Sequence, residues 1–229
     1  VSSTHTVTVA PPHRVPTRYG DVAAQFYTPD SYRRTVLLIP GIHSMGIEEH
    51  RLVGLARELA GSGVNVMTIA LPDLQQYRIS PHATDTIEDA VLWAANQPRL
   101  APDGRVGVVA VSFAGGLAVA ASSRPALRGR LAYVVSFGGH ADLPRVMRYL
   151  ATGEETDVPG VPKHPPHDYG VAVILYGLAD HGVVPLDQVD ALRTGIATFL
   201  LASQQAMVDP PTSDRTFRQA RQFEETLPE

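Results

Sequence analysis

The sequence predicts an α/β fold built on a mostly parallel, doubly wound sheet, and three observations carry that prediction. Apolar runs of strand length recur at 35–39, 64–70, 106–111, 133–137 and 171–175. Helical patterns long enough to cross over stand between most of them. With 229 residues and 44% hydrophobic content, the chain can bury one sizeable core.

The elements follow in order. Residues 6–10, 21–28 and 35–39 read as extended, punctuated by Pro11, Pro12, Pro16 and the Pro29-Asp30-Ser31 turn. From Ile47 the period changes: Leu52, Leu55, Ala56, Leu59 and Ala60 share one helical face, and Gly61 and Gly63 stop it. Residues 64–70 are mostly apolar, interrupted by Asn65 and Thr68, as in a strand buried on both faces. Asp85 followed by Glu88 marks a helix start, with Ile87, Ala90, Val91 and Ala94 as the buried stripe. A strand at 106–111, a helix at 113–122 and a strand at 133–137 come next. From Gly138 to Gly170 the alternation gives way to a short helix over 143–151 and a loop holding Pro159, Pro162, Pro165 and Pro166. That stretch reads as a lid-like insertion over the carboxyl edge of the sheet. A last strand is expected over 171–175, and after Pro185 only helical patterns remain, at 187–205 and about 213–225. The whole reads as one domain.

Composition narrows the function classes. Charged residues make up 18% and the net charge is −4 without a long block of one sign, which makes nucleic acid an unfavoured partner. No run approaches the eighteen or so apolar residues of a membrane span. The absence of cysteine excludes disulfides, thiolate metal sites and cysteine nucleophiles, and leaves the compartment open.

The chemistry is expected at Ser112, in Val108-Val109-Ala110-Val111-Ser112-Phe113-Ala114-Gly115-Gly116. A serine hydroxyl becomes a nucleophile when a base takes its proton and a strained strand-to-helix turn holds its oxygen exposed. Such a turn crowds the positions two before and two after, and here both are alanine, Ala110 and Ala114. Gly115 and Gly116 let the following helix pack closely. Oxyanion donors are expected at the Phe113 N–H and in the loop Pro40-Gly41-Ile42-His43-Ser44-Met45-Gly46, with Ile42 N–H as the second donor. The same glycines and proline would also suit an ordinary turn. A phosphate-binding loop is disfavoured, because no Lys-Ser/Thr follows Gly46 and no G-x-G-x-x-G occurs.

Over about 35–185 the chain resembles the α/β-hydrolase superfamily, through Pro40-Gly41-Ile42, Ala110-x-Ser112-x-Ala114 and Tyr176-Gly177-Leu178-Ala179-Asp180-His181-Gly182-Val183-Val184-Pro185. Alanines replace the usual glycines of G-x-S-x-G. The resemblance implies a serine hydrolase, and by chain order it gives Asp180 the role of triad acid. Alternatively, Asp180 belongs to a lid and only caps the helix that follows.

No histidine follows His181. His140, in Phe137-Gly138-Gly139-His140-Ala141-Asp142, stands past the strand next to the nucleophile strand, so His140 and Asp142 are expected to line the pocket, as is His43 of the oxyanion loop. His164-x-x-His167-Asp168 lacks further ligands and a helical spacing, and no metal is assigned there.

The expectation is therefore a serine hydrolase of small carboxylic esters that uses no cofactor, with Ser112 attacking the acyl carbon, Phe113 and Ile42 amides holding the oxyanion, and Asp180 orienting a histidine base. Because the family takes that histidine from a loop after its final strand, the catalytic machinery is expected to be completed beyond these 229 residues. The rival expectation is a non-catalytic relative or fragment that binds a small ligand in the same pocket.

Overall fold

A computed structural model of the chain describes residues 5–154, 168–206 and 208–224. They group into two compact units, Val1–Ala141 and Asp142–Glu229.

The first unit carries the sheet. Its strands are β1 (Val7–Val9), β2 (His13–Thr17), β3 (Gly20–Pro29), β4 (Thr35–Ile39), β5 (Asn65–Ile69), β6 (Val106–Val111) and β7 (Leu131–Phe137). The order is β1-β3-β5-β4-β6-β7, with β2 also pairing β3. β1, β2 and β5 run antiparallel to β3, whereas β5, β4, β6 and β7 run parallel to one another. β2 differs from the sequence expectation, in which Pro11, Pro12 and Pro16 break the chain. Among the described residues it pairs with β3 alone, and an edge strand tolerates a proline that cannot donate to a ladder.

Every residue of β4 and β5 is buried. Successive side chains of such strands enter opposite faces. Leu37, Ile39, Met67 and Ile69 pack with helix α3 (Pro81–Ala95) through Ile87, Ala90, Val91 and Ala94, and with α4 (Ala114–Ser122) through Ala114, Ala118 and Ala121. Leu38 and Val66 pack on the other face with Leu52, Ala56 and Ala60 of α1 (His50–Gly61). The polar members are satisfied: Asn65 Nδ2 donates to Thr35 Oγ1 at 2.9 Å, and Thr35 Oγ1 to Leu100 O at 2.7 Å. A single helical turn, α2 (Pro72–Gln75), precedes α3.

Helix α3 starts earlier than Asp85. Ser80 caps it by accepting the His82 N–H at 3.1 Å, with Pro81 at the first helical position. Glu88 is not a capping partner but a buried carboxylate that accepts from Arg18 and Arg124, each at 2.7 Å.

The second unit is helical among its described residues: α5 (Leu143–Thr152), α6 (Asp168–Leu178), α7 (Val189–Gln205) and α8 (Pro210–Glu224). The strand expected at 171–175 is corrected, because that run is the middle of α6. A short apolar run does not distinguish a buried strand from a buried helix. Here α6 packs between α5 and α7, and a helix keeps its backbone hydrogen bonds internal where no neighbouring strand supplies a ladder. Within the lid-like insertion expected at 138–170, α5 forms as the pattern predicts, and 155–167 lie outside the described residues.

Candidate active site

The connections in the first unit reverse direction beside β4. From β4 the chain moves through α1 to β5 on one side, whereas β6 lies on the other, followed outward by β7. Loops leaving the carboxyl ends of β4 and β6 therefore flank a topological switch point, where open α/β sheets bind ligands.

Strand β6 ends at Val111 and α4 begins at Ala114, so the turn falls on Ser112 and Phe113. Ser112 has φ 55°, the left-handed backbone that the crowding argument predicts and that few non-glycine residues adopt. Ser112 N–H donates to Phe137 O at 2.8 Å, and Gly115 N–H to Ser112 O at 2.8 Å. Ala110 and Ala114 are fully buried, whereas Ser112 is exposed. A Cβ on Gly115 would overlap Ser136 Oγ and stand 2.7 Å from Gly139 Cα, and one on Gly116 would stand 2.5 Å from His140 O. The paired glycines thus let α4 approach the chain leaving β7, as expected.

The loop after β4 meets this turn through Gly41, where a Cβ would stand 3.1 Å from Ser112 Cβ and 3.7 Å from its Oγ. The sequence places Gly41 in the expected oxyanion loop, but its contact with Ser112 needs the tertiary structure. Ile42 and Phe113 both pack against the core with their side chains, which anchors the two backbones proposed as donors. Within the loop, Met45 N–H donates to His43 Nδ1 at 3.2 Å. That bond uses Nδ1 as acceptor, so the neutral ring carries its proton on Nε2. Burial pushes the His43 pKa down and favours the same neutral form.

His140 stacks obliquely on Phe113, ring centroids 4.8 Å apart. Among the described residues its Nε2 is buried without a hydrogen-bond partner, and burial lowers its pKa. Ser112, Phe113, His140 and the 40–46 loop are thus gathered in the first unit. Among the described residues no histidine hydrogen-bonds Ser112 Oγ.

Asp142 and Asp180 belong to the second unit. Asp142 caps α5, its carboxylate accepting Arg145 N–H at 3.1 Å. Asp180 lies in the helical turn Ala179–Val183 directly after α6, not after a strand. Its carboxylate stands 2.9 Å from Arg193 Nη2, and that hydrogen bond holds its pKa below the usual carboxylate range. The second unit also has a cleft of about 1040 Å³ whose walls include Leu175, Leu192, Ile196, Phe199 and Phe217; none of the site residues expected from sequence lines it.

No family model matches the chain, and no curated protein matches it. Solved structures do. An esterase from Pyrobaculum calidifontis superposes with a TM-score of 0.50 at 24% identity, over 66% of this chain and 52% of that one. A dienelactone hydrolase from Anabaena variabilis gives a TM-score of 0.52 at 20% identity, over 62% of this chain and 68% of that one. A hypothetical protein from Pseudomonas aeruginosa gives 0.52 at 16% identity, over 80% and 55%. The chain thus spans about half the length of the esterase and about two thirds of the dienelactone hydrolase. Together with the strand order and the flanking helices, these likenesses give the fold: it is of the α/β-hydrolase type. No described helix is long and apolar enough to cross a membrane.

Proposed function

We propose that this α/β-hydrolase fold carries serine hydrolase chemistry on small carboxylic esters, with Ser112 as the nucleophile. One observation carries the reading: Ser112 sits exposed at φ 55° between β6 and α4, with the glycine of the β4 loop against its side chain. A strained, exposed serine at a switch point is the form a nucleophile elbow takes.

In the proposed reaction Ser112 Oγ bonds to the acyl carbon and its proton passes to a histidine, the base that the resemblance implies. The Phe113 and Ile42 amides stabilise the oxyanion of the tetrahedral intermediate. The alcohol leaves with a proton, and water then hydrolyses the acyl-enzyme. Asp180 takes the role its setting supports, the ion-pair partner of Arg193 at the end of α6. His43 and His140 border the proposed pocket as neutral imidazoles.

A second reading, ligand binding without turnover, is favoured by the lack of a histidine hydrogen bond to Ser112 Oγ among the described residues. A serine-directed fluorophosphonate separates the two. Labelling at Ser112, hydrolysis of a short-chain aryl ester, and loss of both in a folded Ser112→Ala variant by about 10³-fold or more support the hydrolase. A folded full-length protein that neither labels nor hydrolyses supports the binder.

A further inference from the structure

The loop proposed to carry the Ile42 donor is held at both ends. At one end Gly41 rests on Ser112. At the other, His43 to Gly46 form a turn closed by Gly46 N–H donating to His43 O at 3.0 Å and by the Met45 N–H bond to His43 Nδ1. From outside, α2 contacts that turn. Gln75 Nε2 donates to Ser44 O at 3.4 Å, and its side chain lies over Gly46, where a Cβ would stand 2.6 Å from Gln75 Cδ and 2.9 Å from Cγ. Gly46 is buried at φ 50°, a backbone that favours glycine.

Helix α2 is itself fixed. Leu74 and Tyr77 are buried, and the helix closes with Arg78 N–H donating to Asp73 O at 2.8 Å and Tyr77 N–H to Leu74 O at 3.2 Å. That pattern normally places glycine at the left-handed position, yet Tyr77 occupies it with φ 58°. Among the described residues only Tyr77 and Ser112 combine a side chain with positive φ, and both follow carboxyl ends of parallel strands, β5 and β6.

We infer that Gln75 is a positioning residue: through Ser44 and Gly46 it sets the placement of the 40–46 loop and hence of the Ile42 amide relative to Ser112. This rests on the proposed role of Ser112. A donor that acts on the developing oxyanion affects the transition state and not ground-state binding, so its displacement lowers kcat and leaves KM nearly unchanged.

The experiment compares wild type, Gln75→Ala, Gln75→Met and Gln75→Glu of the full-length protein in aryl-ester hydrolysis, with circular dichroism to verify folding. Gln75→Ala is expected to lower kcat by about 10–100-fold with KM within about threefold, as a misplaced donor does. Gln75→Met, which keeps the cover over Gly46 without the donor, is expected to recover part of the loss, and Gln75→Glu, whose carboxylate faces the Ser44 carbonyl, to recover less. Wild-type kcat in folded Gln75→Ala, or a change confined to KM, overturns the positioning role alone. A full-length wild-type protein that neither hydrolyses the ester nor labels at Ser112 overturns the nucleophile reading, and the positioning role with it.

Discussion

The approach of α4 to the chain leaving β7 can be tested by one methyl group. Gly115→Ala places a Cβ 2.7 Å from Gly139 Cα and 3.2 Å from Gly139 N, in addition to its overlap with Ser136 Oγ. Two of those three atoms are backbone, so α4 and the 138–140 segment must separate by nearly an ångström to reach ordinary contact. Overpacking of that kind costs about 1–3 kcal/mol. Replacing glycine in a helix also returns up to about 1 kcal/mol, less near a helix start such as this one. Gly54 in α1 is the internal control: it is exposed and nothing stands within 4 Å of where its Cβ would go. Gly54→Ala should therefore stabilise by about 1 kcal/mol. The protein has one tryptophan, Trp93 on α3 of the same unit, so its fluorescence in urea follows this unit's unfolding. The expected result is a lower midpoint for Gly115→Ala and a higher one for Gly54→Ala, at unchanged slope. Because Gly115 N–H bonds the Ser112 carbonyl, phosphonate labelling should slow in the first variant only. Equal stabilisation by both substitutions would refute the close approach and the reason given for Gly115.

Two further outcomes are expected. Asp180→Asn should leave ester turnover within a few-fold of wild type and the unfolding midpoint nearly unmoved, since its Arg193 partner pairs with it at an exposed helix end; a loss of about 10⁴ in kcat would instead make Asp180 the triad acid. His43 and His140 have pKa values lowered by burial, so below the ordinary value of about 6.5 the unfolded chain binds protons that the folded chain does not. Stability should be complete above that pH and decline as pH falls through and below it. His43→Asn, which offers the Met45 N–H an acceptor that does not titrate, should flatten this acid-side decline; an unchanged profile would remove His43 from the explanation.

The parallel strands and the helices around them are legible in the sequence wherever local periodicity and burial agree. Runs such as 35–39 and 106–111 form the strands that their apolar character predicts, and α1 follows from its apolar face. The turn at Ser112 is legible too, because crowding demands small residues at fixed offsets and Ala110 and Ala114 meet that demand. Where the outcome depends on the neighbour, the sequence is silent. The apolar run 171–175 fits a buried strand or a buried helix equally, and packing against α5 and α7 makes it helix. Pro16 reads as a breaker, yet at the sheet edge its missing N–H leaves no bond unmade that the fold requires. Asp85 and Glu88 have the spacing of a helix start, but Ser80 does the capping, and Glu88 is buried because Arg18 and Arg124 arrive from distant parts of the chain. The candidate site divides in the same way. Sequence by itself determined the strained turn at Ser112, since that constraint acts between residues two apart. Only the tertiary structure set Gly41 against Ser112, Gln75 over Gly46 and Arg193 on Asp180, because these are contacts across loops and helices that no local pattern encodes.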